Sequence, residues 1–403
     1  MKKILMVTYD SPNIDRRIYL FADTLQKAGY SVSILTPYAQ EEVGFEHINV
    51  INLVEKNSIK NVTSSIFIKE TLRKILPMKI FGMVRDLYRF FFSKGGYIQN
   101  LDSMINKAVS IKADYYIAND LPTLPIVKAC IEQNGGKFIY DAHEFFLGQD
   151  VFSKKQKENL EQIEKSIFPM VDFFITVNDD IRKLFFEKYG EKKSEIIFNA
   201  TKCNCEEKKY LHDLIGIDRN EKILLYQGGF IEKRKLENLI YISKYLNNSK
   251  LVMLGWGTTE KQLKNLAEDL GVFDKKVFFV PKISQKELVS YTSSATIGII
   301  PYDGYDLNTK YCTPNKLFEF VCAGIPIVHN DNLYTVDNII KSYKIGFSID
   351  VNDYENTAKY IDELLVDKYR LVEFRDNVKV AKEVLNWDNE EIKILNIFRS
   401  LNQ

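Results

Sequence analysis

PNKLFEFVCAGIPIV (residues 314–328) contains a helix, its stop signal and the strand that follows. Pro314 restricts Thr313 to extended backbone and suits the first turn of a helix. From Lys316 to Cys322 the chain reads as helix, with Leu317, Phe318 and Val321 apolar. Gly324 can adopt the left-handed conformation that ends a helix. Pro326 then leads into an apolar run at 325–328, too continuous for a half-exposed strand. The same unit recurs along the chain. Residues 4–8 are a short apolar strand. Residues 15–28 follow with Ile18, Phe21, Ala22 and Leu25 at helical spacing and Gly29 placed as a cap. Further strands are expected at 31–35, 115–118, 137–140 and 173–177. The pattern restarts with a strand at 222–226, a helix at 236–246, a strand at 251–254 and a helix reaching Leu270. Strands at 277–280 and 297–300 come next. Buried strands alternating with helices predict an α/β chain with parallel, doubly wound sheets.

The length of 403 residues suits two domains rather than one core. The polar stretch near 200–220 reads as their linker. The expected organisation is a Rossmann-like domain over 1–200, a linker over 201–220, a second Rossmann-like domain over 221–383 and a final helical segment over 384–403. Two such halves leave a cleft between the carboxyl ends of their sheets, where open α/β sheets bind ligands.

Composition excludes several classes. The chain is 45% hydrophobic and 27% charged, with a formal net charge of +1, so no global field favours nucleic acid. Five cysteines, Cys130, Cys203, Cys205, Cys312 and Cys322, are odd in number and scattered. They are expected as free thiols in a reducing compartment, and Cys203-x-Cys205 lacks the second pair a zinc site needs. The opening MKKILMVTYD is too short in its apolar part for a secretory leader, and no apolar run spans a bilayer, which predicts a cytoplasmic protein. Residues 69–94 set Lys69, Arg73, Lys74, Lys79, Arg85, Arg89 and Lys94 among Leu, Ile, Met and Phe, opposed by Glu70 and Asp86. That composition suits an anionic membrane surface at the inner face, with Pro77 and Gly82 dividing it into two helices. An ordinary amphipathic helix pair packed on a sheet has the same composition.

Four motifs carry candidate chemistry. In LLYQGGFIEKRKLENLI (224–240), Gly228 and Gly229 let backbone approach a phosphate, and Arg234 can add a fork of donors. In LVMLGWGTTEKQL (251–263), Gly255 and Gly257 repeat the turn. A dinucleotide fingerprint would need a third glycine and a later acidic residue, and neither is present. The helix start at Asn315 points free amides outward, and Lys316 adds positive charge, so this end favours an anion. Glu319 is a lone carboxylate in an apolar patch and needs partners such as ligand hydroxyls. YDAHEFF (140–146) places His143 and Glu144 on the loop after a strand.

With those residues in place, the chain resembles the retaining family-four glycosyltransferases of GT-B fold over almost its whole length. That family carries two glutamates eight positions apart, followed by a short helix and G-x-P. Glu319, Gly324 and Pro326 match the second glutamate and the tail of that motif, while the first falls at Tyr311. A branch with a PNK(L/F)FE(Y/F) version is similar. The resemblance implies that Glu319 holds the donor ribose, and that the amides around Pro314, Asn315, Lys316 and Leu317 meet the diphosphate. It also implies that Tyr311, Asn308 or Asn315 stands in for the missing glutamate. The remaining donor-side expectations are Gly228, Gly229, Gly255, Gly257, Lys282, Ile283 and Thr313. The family often has an arginine directly after the glycine of its first turn; here that position is Gly229, Arg234 matches the second cation, and Lys316 is placed to compensate. His143 matches a histidine near the transferred sugar. Asp15 and Arg17 match a D-x-R pattern, and Asn119, Asp120 and Glu144 fall on the acceptor side. The tail helix is similar to one that crosses back to the first domain.

The implied activity is transfer of a sugar from a UDP- or GDP-linked donor to a glycan or lipid-linked acceptor, with retention. It would serve cell-surface polysaccharide or glycoconjugate synthesis. Arg234, Glu319, Tyr311 and His143 would carry catalysis, with no cofactor and no metal, since no D-x-D motif is present. A sugar-nucleotide epimerase or hydrolase on the same fold, or a non-catalytic binding protein, are the alternatives.

Overall fold

A computed structural model describes residues 1–11, 13–39, 44–53, 101–203 and 208–402. The basic stretch at 69–94 lies outside them. Two compact units emerge: Met1–Ile197 with Glu391–Gln403, and Phe198–Glu390.

The first unit is built on seven parallel strands in the order β3-β2-β1-β4-β5-β6-β7. They are β1 (Lys3–Val7), β2 (Ser31–Thr36), β3 (Asn49–Asn52), β4 (Tyr115–Asn119), β5 (Lys137–Ala142), β6 (Phe173–Thr176) and β7 (Ser194–Ile196). Every residue of β4 and β6 is buried, as parallel strands covered on both faces must be. The helix Arg16–Lys27 starts where the Asp15 carboxylate accepts the Arg17 amide, and it ends before Gly29 at φ +90°. Phe174, Phe185, Phe168 and Tyr140 form an aromatic core beneath β5 and β6. From the tail helix Trp387–Leu401, Phe398 packs its ring 5.1 Å from Tyr115 and 5.4 Å from Tyr30.

The second unit holds six parallel strands, β10-β9-β8-β11-β12-β13. These are β8 (Ile223–Gly229), β9 (Lys250–Trp256), β10 (Val277–Val280), β11 (Ile297–Ile300), β12 (Ile327–Asn330) and β13 (Gly346–Ile349). The stretch 314–328 folds as a helix Asn315–Ala323 capped by Gly324 at φ +74°, then β12. Leu317, Phe318, Phe320 and Val321 are fully buried. Sequence reading omits β3, β7 and β13; each is a short edge strand of four residues or fewer, where apolar patterning is weakest.

The expectation of free thiols needs correction. Cys203 and Cys322 form a disulfide across 119 residues of chain. An odd, scattered set rules out a full framework but not a single bond, and folding brings these two Cα atoms to 4.9 Å. Cys130 and Cys312 are outside any disulfide. Among the described residues no helix is long and apolar enough to cross a membrane.

Candidate functional site

Both sheets reverse direction once. In the second unit the reversal lies between β8 and β11, and in the first between β1 and β4. At such a point the connections leave on opposite sides and open a crevice outside the carboxyl ends of the strands. Each unit collects its chemistry-bearing side chains there.

In the second unit, β8 ends in Gly228 and Gly229, and a single 3-10 turn over Glu232–Arg234 follows. Arg234 turns back so that its Nη1 donates to the Gly229 carbonyl at 3.0 Å and to the Tyr226 hydroxyl at 3.3 Å. Its guanidinium lies 4.8 Å from the ring centre of Tyr302, just past β11. Lys316, in the first turn of the helix Asn315–Ala323, reaches in from the other side. Its Nζ stands 3.9 Å from the Tyr226 ring centre and 4.7 Å from that of Tyr302. A Cβ on Gly228 would lie 3.1 Å from the Lys316 Nζ and 3.3 Å from the Arg234 Nη1. Gly228, at φ +132°, is therefore glycine both for its backbone and for the two cations that close on it.

Lys316 is 5% exposed, and its Nζ has no hydrogen-bond partner among the described residues. Burial holds its pKa well below the ordinary lysine value, and the Arg234 charge pushes the same way against Glu319 and Cys312. Burial raises the phenols of Tyr226 and Tyr302, so both are neutral rings. A buried amine without a partner, beside a guanidinium, is a site short of an anion.

One turn along the same helix, the Glu319 carboxylate accepts from Gln227 Nε2, and the Gln227 Oε1 accepts from the Thr292 hydroxyl at 2.8 Å. Glu319 is 9% exposed, so the partner its burial requires is in part supplied by the protein. Tyr226, Gln227, Thr292 and Tyr302 were not expected from sequence. Only Gln227, a polar residue inside the apolar run LLYQGG, carries a local signal.

Gly255 and Gly257 are each required as glycine by close backbone packing. A Cβ on Gly255 would meet the Gly228 carbonyl at 1.9 Å, and one on Gly257 the Phe230 carbonyl at 2.1 Å, because β8 and β9 end together. The Leu317 amide donates to the Pro314 carbonyl at 2.9 Å and its side chain is core, which removes it from the free amides of the helix start. Pro314 stands at the cap position, Asn315 is exposed, and Thr313 is buried with its carbonyl accepting from Asn199. Asn308 and Tyr311 share the short helix Leu307–Tyr311, where the Tyr311 ring lies 5.9 Å from Tyr334. Lys282 rests over the exposed Trp256 ring at 4.5 Å, and Ile283 beside it is half-buried.

In the first unit a charged chain runs across the strand ends. Arg17 Nη2 donates to Asp141 Oδ1 at 2.6 Å, and the same guanidinium reaches the Ile197 carbonyl. Asp141 Oδ2 meets His143 Nε2 at 3.2 Å. Asp120 accepts the His143 amide at 2.8 Å, and its other oxygen is 3.7 Å from His143 Nδ1. Burial works against the Asp141 charge, but Arg17 and His143 outweigh it and hold its pKa at about 2. Burial likewise opposes the His143 charge, but Asp120 and Asp141 raise its pKa to about 9. Burial lifts Asp120 to about 7 despite His143. Asp120 also sits at φ +62°, a region that favours glycine, so the fold holds it there under backbone strain.

Arg17 and Asn119 are held in place: Arg17 is 3% exposed, and the Asn119 amide bonds the Val7 carbonyl across β1 and β4. Asp15 caps the helix Arg16–Lys27, and Glu144 accepts from Gln149. His143 and Asp120 keep more exposure than Arg17 and Asp141, with side chains 9% and 26% exposed.

Residues 208–382 match the family described as Glycosyl transferases group 1. That span covers most of the second unit and both of its cations. An uncharacterized glycosyltransferase of Methanocaldococcus jannaschii is 26% identical over 222 residues, covering 52% of this chain and 54% of that protein. The chain spans about half the length of the curated relatives it matches. Among solved structures, sucrose-phosphate synthase from Thermosynechococcus elongatus matches at a TM-score of 0.69 with 16% identity, over 100% of this chain and 99% of that one. HepE of Anabaena in complex with UDP-glucose matches at 0.71 with 12% identity, over 99% and 100%. At such identities the likeness is one of fold. It is the GT-B fold of two parallel-sheet α/β domains.

Proposed function

We propose that this chain is a glycosyltransferase that takes its sugar from a nucleoside-diphosphate donor and retains the anomeric configuration. The observation that carries the reading is the Lys316 amine, buried without a hydrogen-bond partner among the described residues, close to Arg234 and Gly228. Two cations and the start of a helix come together beside Gly228, at the point where an α/β sheet binds ligands. The group 1 match over the same residues and the UDP-glucose complex of the structurally similar HepE support a diphosphate as that anion.

The hard step is departure of an anionic diphosphate from an oxocarbenium-like carbon. Lys316 and Arg234 would stabilise the charge on the leaving group as it develops. Glu319, oriented by Gln227, would hold ribose hydroxyls. His143, with a pKa of about 9, would present a cationic imidazole from its place between Asp141 and Asp120. The leaving phosphate oxygen would take the acceptor hydroxyl proton, so the reaction would need neither a metal nor a paired carboxylate. The acceptor would be a glycan or a lipid-linked acceptor, in surface polysaccharide or glycoconjugate synthesis.

The test is to incubate the protein with UDP- and GDP-sugars, with and without candidate oligosaccharide and lipid-linked acceptors. Release of nucleoside diphosphate and the anomeric proton of the product would be followed by NMR. Acceptor-dependent release with an unchanged anomer is expected. Release that ignores the acceptor would make the chain a hydrolase or epimerase. No turnover of any sugar nucleotide, together with no nucleotide binding, would leave the non-catalytic alternative.

A further inference from the structure

We propose that a nucleoside diphosphate enters this site together with a proton: the Lys316 amine, caged by Tyr226 and Tyr302 beside Arg234, is neutral in the free protein and becomes an ammonium when the diphosphate arrives. The inference rests on the reading of the second unit as a diphosphate site.

The geometry leads there in steps. An ammonium has three donors and the Lys316 Nζ has no acceptor among the described residues, so the charged form would be left unsatisfied in a space 5% exposed. The groups that face it are few. Arg234 comes from the turn after β8, Tyr226 from β8, Tyr302 from the segment after β11, Cys312 from the segment before the helix, and Glu319 from the next turn of its own helix. Arg234 shares the Tyr302 ring with Lys316 and cannot discharge, because a guanidinium keeps its proton at every accessible pH. Of two neighbouring cations the lysine must give way. Glu319 pulls the other way, yet its carboxylate is engaged by Gln227. The two ring faces attract a cation, but less strongly than burial repels one. Burial and the Arg234 charge accordingly depress the Lys316 pKa.

A diphosphate supplies what the free site lacks. It brings acceptor oxygens and negative charge to Lys316 and Arg234 beside Gly228, and both favour the ammonium. The proton comes from solvent and lands on Nζ. Tyr226 and Tyr302 act as positioning residues that keep the amine aimed at this space in both protonation states.

Calorimetric titration of the full chain with UDP, and separately with GDP, in buffers of different ionisation enthalpy tests this. A pH of about 8 leaves the nucleotide's terminal phosphate, with its pKa of about 6, already ionised. The expected result is uptake approaching one proton per nucleotide, with affinity falling nearly tenfold for each unit of rising pH. Lys316→Arg, whose charge is permanent, is expected to bind with no uptake. If the arginine does not fit, Lys316→Met is expected to bind more weakly, again with no uptake. Wild-type binding without uptake overturns the proposal and leaves the diphosphate site standing. Uptake that survives either substitution also overturns it, since another group then takes the proton. Failure of both nucleotides to bind removes the diphosphate reading and this proposal with it.

Discussion

Replacing Lys316 with Met should make the protein more stable and less able to bind nucleotide. In the free protein the Nζ is buried and without a hydrogen-bond partner among the described residues. Leaving such a group unsatisfied costs about 1–3 kcal/mol. Methionine has nearly the same reach, needs no partner and gains about 0.3–1.5 kcal/mol against an aromatic ring, here Tyr226 or Tyr302. A net stabilisation of about 1–4 kcal/mol follows, or roughly 2–4 °C per kcal/mol for a unit of this size. The pH dependence has a definite sign. The lysine pKa is lowered on folding, so the native state binds fewer protons than the unfolded chain. The wild-type deficit is largest at low pH and shrinks as pH climbs toward the unfolded lysine value of about 10.4. The advantage of the variant must shrink with it. In binding, the same substitution removes one partner of a buried charge pair, at about 2–3 kcal/mol, which is roughly 30- to 150-fold in Kd. Thermal melts without ligand from pH 5 to 10 (a range of about five units around the titrations concerned) and UDP calorimetry measure the two effects. A variant that is less stable than wild type and binds UDP equally well would refute the reasoning.

Three further outcomes are expected. Glu319→Ala leaves the buried Gln227 amide without its acceptor, at about 1–3 kcal/mol in urea denaturation, and should cut turnover strongly; near-normal kinetics would remove its ribose role. Gly255→Ala forces a Cβ to within 1.9 Å of the Gly228 carbonyl and should parade the larger losses seen for core overpacking, whereas Gly324→Ala, with nothing within 4 Å, should lose only about 1–2 kcal/mol from its left-handed backbone; equal losses would show that the β8–β9 approach is not what requires glycine. Burial raises Glu164 to about 7 although the Tyr140 and Tyr189 hydroxyls donate to it. The folded state therefore binds the extra proton, and stability is highest below the unfolded value of about 4.3 and falls by about 2–3 kcal/mol as pH rises to 7. Glu164→Gln should flatten that slope in a pH series of melts, and an unchanged slope would assign it to another group.

Most of the fold was legible because burial leaves its mark one strand at a time. The runs at 4–8, 115–118 and 297–300 are apolar on both faces, which suits only a covered parallel strand. The edge strands β3, β7 and β13 left little trace, since an edge buries less and tolerates polar residues. The stretch 314–328 also stated its own helix start, its glycine cap and its strand. Local sequence thus placed Lys316 and Glu319 on one helix and Arg234 after a glycine turn.

What sequence could not decide was which of these groups meet. Tyr226 and Tyr302 lie far apart in the chain and become two sides of one cage only because β8 and β11 are neighbours in the sheet. Arg17 and Asp141, read as an acceptor-side residue and an unremarked strand end, are a buried ion pair for the same reason. Gly255 and Gly257 looked like phosphate-binding glycines, and the Gly228 and Phe230 carbonyls occupy the places a Cβ on them would need. Cys203 and Cys322 looked like separate thiols. Sequence determines which residues are buried, because hydrophobic patterning is local. Partnership is decided by the tertiary structure, because strand order sets every contact between distant residues and strand order is written in no single stretch of the chain.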